Sequence, residues 1–190
     1  MENKPFLKRF FGHLHTVRRH RREVRRLCFK CGLYRQGLLH DLSKYSPIEF
    51  WSGVKYFQGF RSPIDAEKED VGYSLGWLHH SGRNPHHWEY WLDKDYVNMK
   101  IIVREMPFNS LLEAVCDKIA ASKIYKKERY TDSSAYEFLT KGRDRHFMGS
   151  ENYRRHIELL AYLKDNGEEK ALAYYRSLYK KWKKDRRFNI

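Results

Sequence analysis

No run of about 18 apolar residues, the length a membrane-spanning helix needs, occurs anywhere in these 190 residues. The first segment also lacks the continuous apolar core of a secretory signal. Cysteine is scarce: three residues, an odd number, suit a reducing compartment better than a disulfide framework. A cytoplasmic protein is therefore expected. Cys28 and Cys31 form a C-x-x-C pair, but no second pair exists to complete a structural zinc site. Both continue an apolar stripe and read as core. Apolar/polar alternation of the kind that marks a half-buried strand is absent at any length, and so is internal repetition. Acidic residues are in deficit: 38 Lys and Arg against 24 Asp and Glu leave a formal charge of +14. That surplus keeps a surface soluble and favours anionic partners.

Helical periodicity is what remains. From about Pro5 to Cys31, Leu7, Phe10, Phe11, Leu14, Val17, Val24, Leu27, Cys28 and Cys31 recur at three- and four-residue spacing. His20 completes this stripe and is expected to face inward; the arginines beside it suit an exposed face or a basic arm. Short helices are expected around Leu38–Leu42 and from Pro47, then one from about Asp65 to His80. Residues 94 to 108 read as loop and short structure. A helix follows with Asn109 or Ser110 as its cap and Glu113 placed for a box on Ser110, another opens at Ser134-x-x-Glu137, and a helical hairpin turns at Asn166-Gly167. Arg143, Arg145 and His146 read as a surface loop or an anion-binding lid, and Lys180 to Arg187 as a basic tail. The fold class is all-α: a single domain whose core spans about residues 6–127, with a C-terminal helical extension over about 128–190.

Three places concentrate chemistry. His40-Asp41 ends a short apolar run, with Lys44 three residues on. Adjacent helical residues diverge by about 100°, so the pair meets one ion only at the flank of a helix, with other ligands supplied from elsewhere. Between 79 and 87 stand His79, His80, Arg83, His86 and His87, with Ser81-Gly82 ending one helix and Asn84-Pro85 opening another. Four histidines at so tight a corner exceed what packing needs. Asp117 sits in a helix otherwise apolar on its inner side, where a buried carboxylate needs a partner.

A histidine, then His-Asp, then a distant aspartate: this order resembles the HD-domain superfamily of metal-dependent phosphohydrolases. Leu38-Leu39-His40-Asp41-Leu42-Ser43-Lys44 is similar to that family's apolar-apolar-His-Asp-x-x-Lys segment, and the resemblance covers about residues 13 to 125. It implies His20 (or His13), His40, Asp41 and Asp117 around one ion. It also implies His80 and His87 around a second, while helix phasing favours His79 over His80. The implied cofactor is one or two divalent ions among Mn, Fe, Ni, Co and Zn. The implied activity is hydrolysis of a phosphorylated small molecule or nucleotide. Lys44 and Arg83 would neutralise phosphate charge, His79 and His86 would orient ligands or protonate the leaving oxygen, and Trp77, Trp88 or Tyr90 would stack on a base. Two other classes fit the same residues. Some superfamily members hold a di-iron centre and oxidise a C–H bond with dioxygen. A non-catalytic nucleic-acid binder would instead show steeply salt-dependent binding that survives chelator.

Overall fold

The computed structural model describes residues 5–142 and 146–186; it is 74% helical, with one small two-stranded sheet. The fold is all-α, as the periodicity implies. Helix α1 (Phe6–Cys31) starts behind Pro5 and buries His13, Val17, His20, Val24, Leu27, Cys28 and Cys31, the inner stripe. Helix α2 (Tyr34–Leu39) packs on α1 through Gly37, where a Cβ would stand 2.9 Å from that of Cys28. It ends before His40, so the His-Asp pair lies past a helix rather than on one. Helix α3 (Pro47–Lys55) follows, with proline in its first turn.

The single helix expected over 65–80 is two. Helix α4 (Pro63–Val71) stops at Gly72, whose φ of 83° is open to glycine at no steric cost. Helix α5 (Leu75–Ser81) restarts on Ser74, whose Oγ accepts from the Trp77 amide at 2.9 Å. Residues 92 to 103 form a hairpin, β1 (Leu92–Asp95) against β2 (Lys100–Val103), antiparallel with Leu92 opposite Val103. Both strands are largely exposed, so no buried face imposes the alternation that would betray them.

Helix α6 (Phe108–Lys126) begins behind Pro107, not at Ser110, and carries Ser110 and Glu113 inside as buried residues. The expected capping box is therefore wrong, and Glu113 has other work. Helix α7 (Ser134–Lys141) follows Ser133, which makes no side-chain cap, so the box expected on Ser134 is wrong; the Ser133 Oγ instead donates to the Glu137 carboxylate at 2.6 Å. Helices α8 (Ser150–Asn166) and α9 (Glu168–Arg186) make the hairpin. Arg143, Arg145 and Arg187 lie outside the described residues.

Helices α1, α6, α8 and α9 pack on one another, and one apolar cluster runs through them: Leu27, Leu111, Val115, Ile119, Leu160 and Tyr175 are members. The C-terminal hairpin thus shares the core of the first 127 residues. Leu160→Ala, at a fully buried site, is expected to cost about 2–5 kcal/mol in urea unfolding. Leu38→Ala, at a residue 54% exposed, should stay within about 0.5 kcal/mol.

His156 on α8 is equally buried. Its Nδ1 donates to the Asn152 carbonyl at 2.7 Å, and burial, then the nearby Lys118 charge, push its pKa down to about 3. The unfolded chain therefore binds a proton near pH 6.5 that the folded chain refuses. Stability attributable to this residue is full above about pH 6.5 and falls, by up to about 1.4 kcal/mol per pH unit, down to the folded value. Urea midpoints at pH 7 and pH 5 should diverge more for the wild type than for His156→Gln.

Candidate metal centre

The backbone leaves helical geometry at the His-Asp pair. His40 takes φ −47°, ψ 126°, and Asp41 is left-handed at φ 53°, ψ 28°, a region aspartate tolerates better than most residues. That break swings two neighbouring side chains onto one point: His40 Nε2 and Asp41 Oδ2 stand 3.3 Å apart. Arg21 on α1 fixes the turn, its Nε donating to the His40 carbonyl at 2.8 Å.

His20 from α1 and Asp117 from α6 complete a first group. His20 Nε2 lies 3.0 Å from Asp117 Oδ1, 3.4 Å from Asp41 Oδ2 and 3.4 Å from His40 Nε2. Atoms that each sit about 2.1 Å from one ion stand about 3.0–3.4 Å from each other, so the spacing fits a shared ion. The second group is Asp41, His80, His86 and His87. Here His80 Nε2 and His86 Nε2 approach the other oxygen, Asp41 Oδ1, at 3.3 and 3.4 Å. Asp41 thus offers one oxygen to each group. Asp41 Oδ1, His80 Nε2, His86 Nε2 and His87 Nε2 are all buried without a hydrogen-bond partner among the described residues. Four such atoms, three of them imidazole nitrogens, are costly unless something fills the point they face. These buried His, Asp and Glu groups could hold a metal ion.

Two carboxylates outside the groups aim the rings. Glu113 Oε1 accepts from His40 Nδ1 at 2.9 Å and from His86 Nδ1 at 3.3 Å, so one side chain directs a ring of each group. Glu49 Oε2 accepts from His80 Nδ1 at 2.8 Å, and Glu49 Oε1 from His79 Nδ1 at 2.6 Å. Asn84 Nδ2 donates to the His80 carbonyl at 2.7 Å and to Ser43 Oγ at 2.9 Å, which locks the 80–87 corner.

Charge follows this plan. Burial works against the His40 imidazolium, but Asp41, Asp117 and Glu113 outweigh it and raise its pKa well above the usual value. Burial likewise opposes the Asp41 carboxylate, yet His40, Lys44 and His80 hold its pKa well below the usual range. Burial and then neighbouring histidines push His86 and His87 down, which keeps both rings neutral and able to ligate. Lys44 Nζ reaches Asp41 Oδ2 at 2.5 Å. A cavity of about 460 Å³ opens on both groups; His20, Asp117, His80, His86, His87 and Lys44 are among the residues that line it.

Residues 9–162 match the family described as "Family of unknown function (DUF5662)". The chain belongs to that family. No curated protein and no solved structure matches it. In this DUF5662 member the matched stretch carries every residue of both groups and both ring-aiming glutamates.

The structure brings together His20, His40, Asp41 and Asp117, and separately Asp41 with His80 and His87. His86 joins the second group rather than standing apart as a proton donor. Between His79 and His80 the geometry chooses His80; His79 is turned onto Glu49 and does not line the cavity. His13 packs against Phe50 and Phe57, so His20 is the α1 member of the group. Arg83 is exposed, donates to the His79 carbonyl at 3.5 Å and lies off the cavity, so it is misplaced for holding phosphate. Tyr90 lies off the cavity too, whereas Trp77 and Trp88 line it. Past Asn84-Pro85 the chain forms a turn and a short 3-10 segment (Trp88–Trp91), not the expected helix, and the Asn84 Nδ2 ties back to the His80 carbonyl. Sequence reasoning missed Glu49 and Glu113 as ring-aiming groups. The usable signal was Glu113 four residues before Asp117, on the same face of an apolar helix.

Proposed function

We propose that the chain is a metal-dependent phosphohydrolase with an HD-like site, acting on a phosphorylated small molecule or nucleotide. One ion would be held by His20, His40, Asp41 and Asp117, and a second by Asp41, His80, His86 and His87. The observation that carries this reading is the convergence of four buried, partnerless atoms, one of them an oxygen of the carboxylate shared by both groups. Divalent ions on such a donor set supply Lewis-acid polarisation of a phosphoryl oxygen and an acidified water. The chain's own residues do the rest. Asp41 ties the two groups together. Glu113 and Glu49 hold three imidazoles in the tautomer that presents Nε2. Lys44, on the cavity wall, carries positive charge beside the place an anionic phosphate would take, as a point charge rather than a bidentate clamp. The ligand set fits Mn, Fe, Ni, Co or Zn.

Phosphate release from p-nitrophenyl phosphate and nucleoside monophosphates, with each of these metals added in turn, tests the reading. Release that stops with chelator supports it; no release with any metal contradicts it. One observation favours a second reading, a di-iron oxygenase: the first group offers two imidazoles and two carboxylates and the second three imidazoles and one shared carboxylate, a mixed nitrogen and oxygen set that suits Fe²⁺ chemistry with dioxygen. Iron retained through purification and a visible absorption band that changes on air exposure would favour that alternative.

A further inference from the structure

One wall of the cavity belongs to neither metal group: Phe138 on α7, Met148, and His156 on α8. His156 is 1% exposed, and its Nδ1–H is committed to the Asn152 carbonyl at 2.7 Å. Its Nε2 therefore carries a bare lone pair, and that atom is buried with no hydrogen-bond partner among the described residues. The ring is held firmly. Asn152 Oδ1 accepts from the Met106 amide at 2.9 Å, while its Nδ2 donates to the Arg104 and Met148 carbonyls at 3.0 Å each. A fixed, partnerless acceptor in an enclosed wall is a deficit that a donor on a ligand would repair. Along α6, Asp117, Ala121 and Tyr125 line the same cavity at four-residue spacing, so the lining extends about 12 Å along the helix axis from Asp117. Trp88, Tyr125 and Phe138 give it flat apolar surfaces. The space exceeds what a phosphate group alone would fill.

We propose that His156 Nε2 is a specificity-determining acceptor, which reads an amine N–H on a flat heteroaromatic group bound in the cavity. The proposal deepens the phosphohydrolase reading and rests on it only for where a phosphate attached to that group would lie. The buried lone pair selects for a donor and against a ring bearing an acceptor or nothing at the same place. Burial and the Lys118 charge keep the imidazole unprotonated, so the selection holds across the neutral range.

A matched pair of probes tests it: adenosine, and purine riboside, which lacks only the exocyclic amine. Calorimetric titration of the metal-loaded protein should show adenosine binding at least about tenfold tighter. The difference should vanish in His156→Leu and return in part in His156→Gln, whose amide oxygen can accept. In the wild type, the ¹⁵N resonance of His156 Nε2 should move on adenosine binding and stay in place with purine riboside, a result that needs no variant to fold. Equal or absent binding of the two nucleosides, a preference that survives His156→Leu, or an Nε2 already hydrogen-bonded to water in the free protein would each overturn the proposal. The two 5′-monophosphates separate it from the reading beneath it. Equal phosphate release from both leaves the hydrolase standing and sinks the proposal; preferential binding without phosphate release does the reverse.

Discussion

Asp41→Asn is expected to strip both metal groups at once, whereas Asp117→Ala should weaken only the first and His80→Ala only the second. The reason is geometric. Asp41 Oδ2 faces His20 and His40, and Asp41 Oδ1 faces His80 and His86. One carboxylate therefore carries charge for both. Asparagine is the informative replacement because it tolerates the left-handed backbone at φ 53°, where alanine would add roughly 1–2 kcal/mol of strain unrelated to metal. The loss in affinity should exceed the ~10–100-fold that removing an outer hydrogen-bond partner costs. Elemental analysis after metal loading and desalting reads it. Retention of either ion in Asp41→Asn would show that the two groups do not depend on a shared carboxylate.

Glu113→Gln should lower metal affinity at both groups by about tenfold, and Glu113→Ala by up to about a hundredfold. Glu113 belongs to neither four-residue group; it accepts from the Nδ1 of His40 and of His86, one ring of each, and so presents their Nε2 atoms to different groups. Burial opposes its charge, but those two histidines hold its pKa below the usual carboxylate range. Glu49→Gln, which acts on His80 and on the off-site His79, should weaken the second group alone. Competitive titration against a metal-binding dye separates the cases. Equal effects of the two substitutions on the two groups would contradict this division.

Much of this arrangement was written along the chain, and the missing parts have physical reasons. The stripe through Val17 and Val24 turned His20 inward because a helix that buries one face must bury what falls on it. The order His20, His40-Asp41, Asp117 was visible, but how His40 and Asp41 converge was not. A helix would have splayed them, and the left-handed turn at Asp41 has no periodic signature. Glu113 was hidden by a plausible local role: three residues after a serine it reads as a cap, yet Pro107 had already started the helix. His86 and His87 both reach the second group because they sit in a turn held by Asn84, where helical spacing no longer separates neighbours. Arg83 looked like an anion clamp from its setting among histidines, but in the turn its side chain projects outward. The 92–103 hairpin lacked alternation because neither face is buried.

Anomalous scattering from crystals of the protein grown with Mn²⁺ or Fe²⁺ and measured across the metal edge tests the central claim most directly. Two peaks should flank Asp41, one among His20, His40 and Asp117, the other among His80, His86 and His87. Crystals that contain the metal in solution but show no peak beside Asp41 would contradict it.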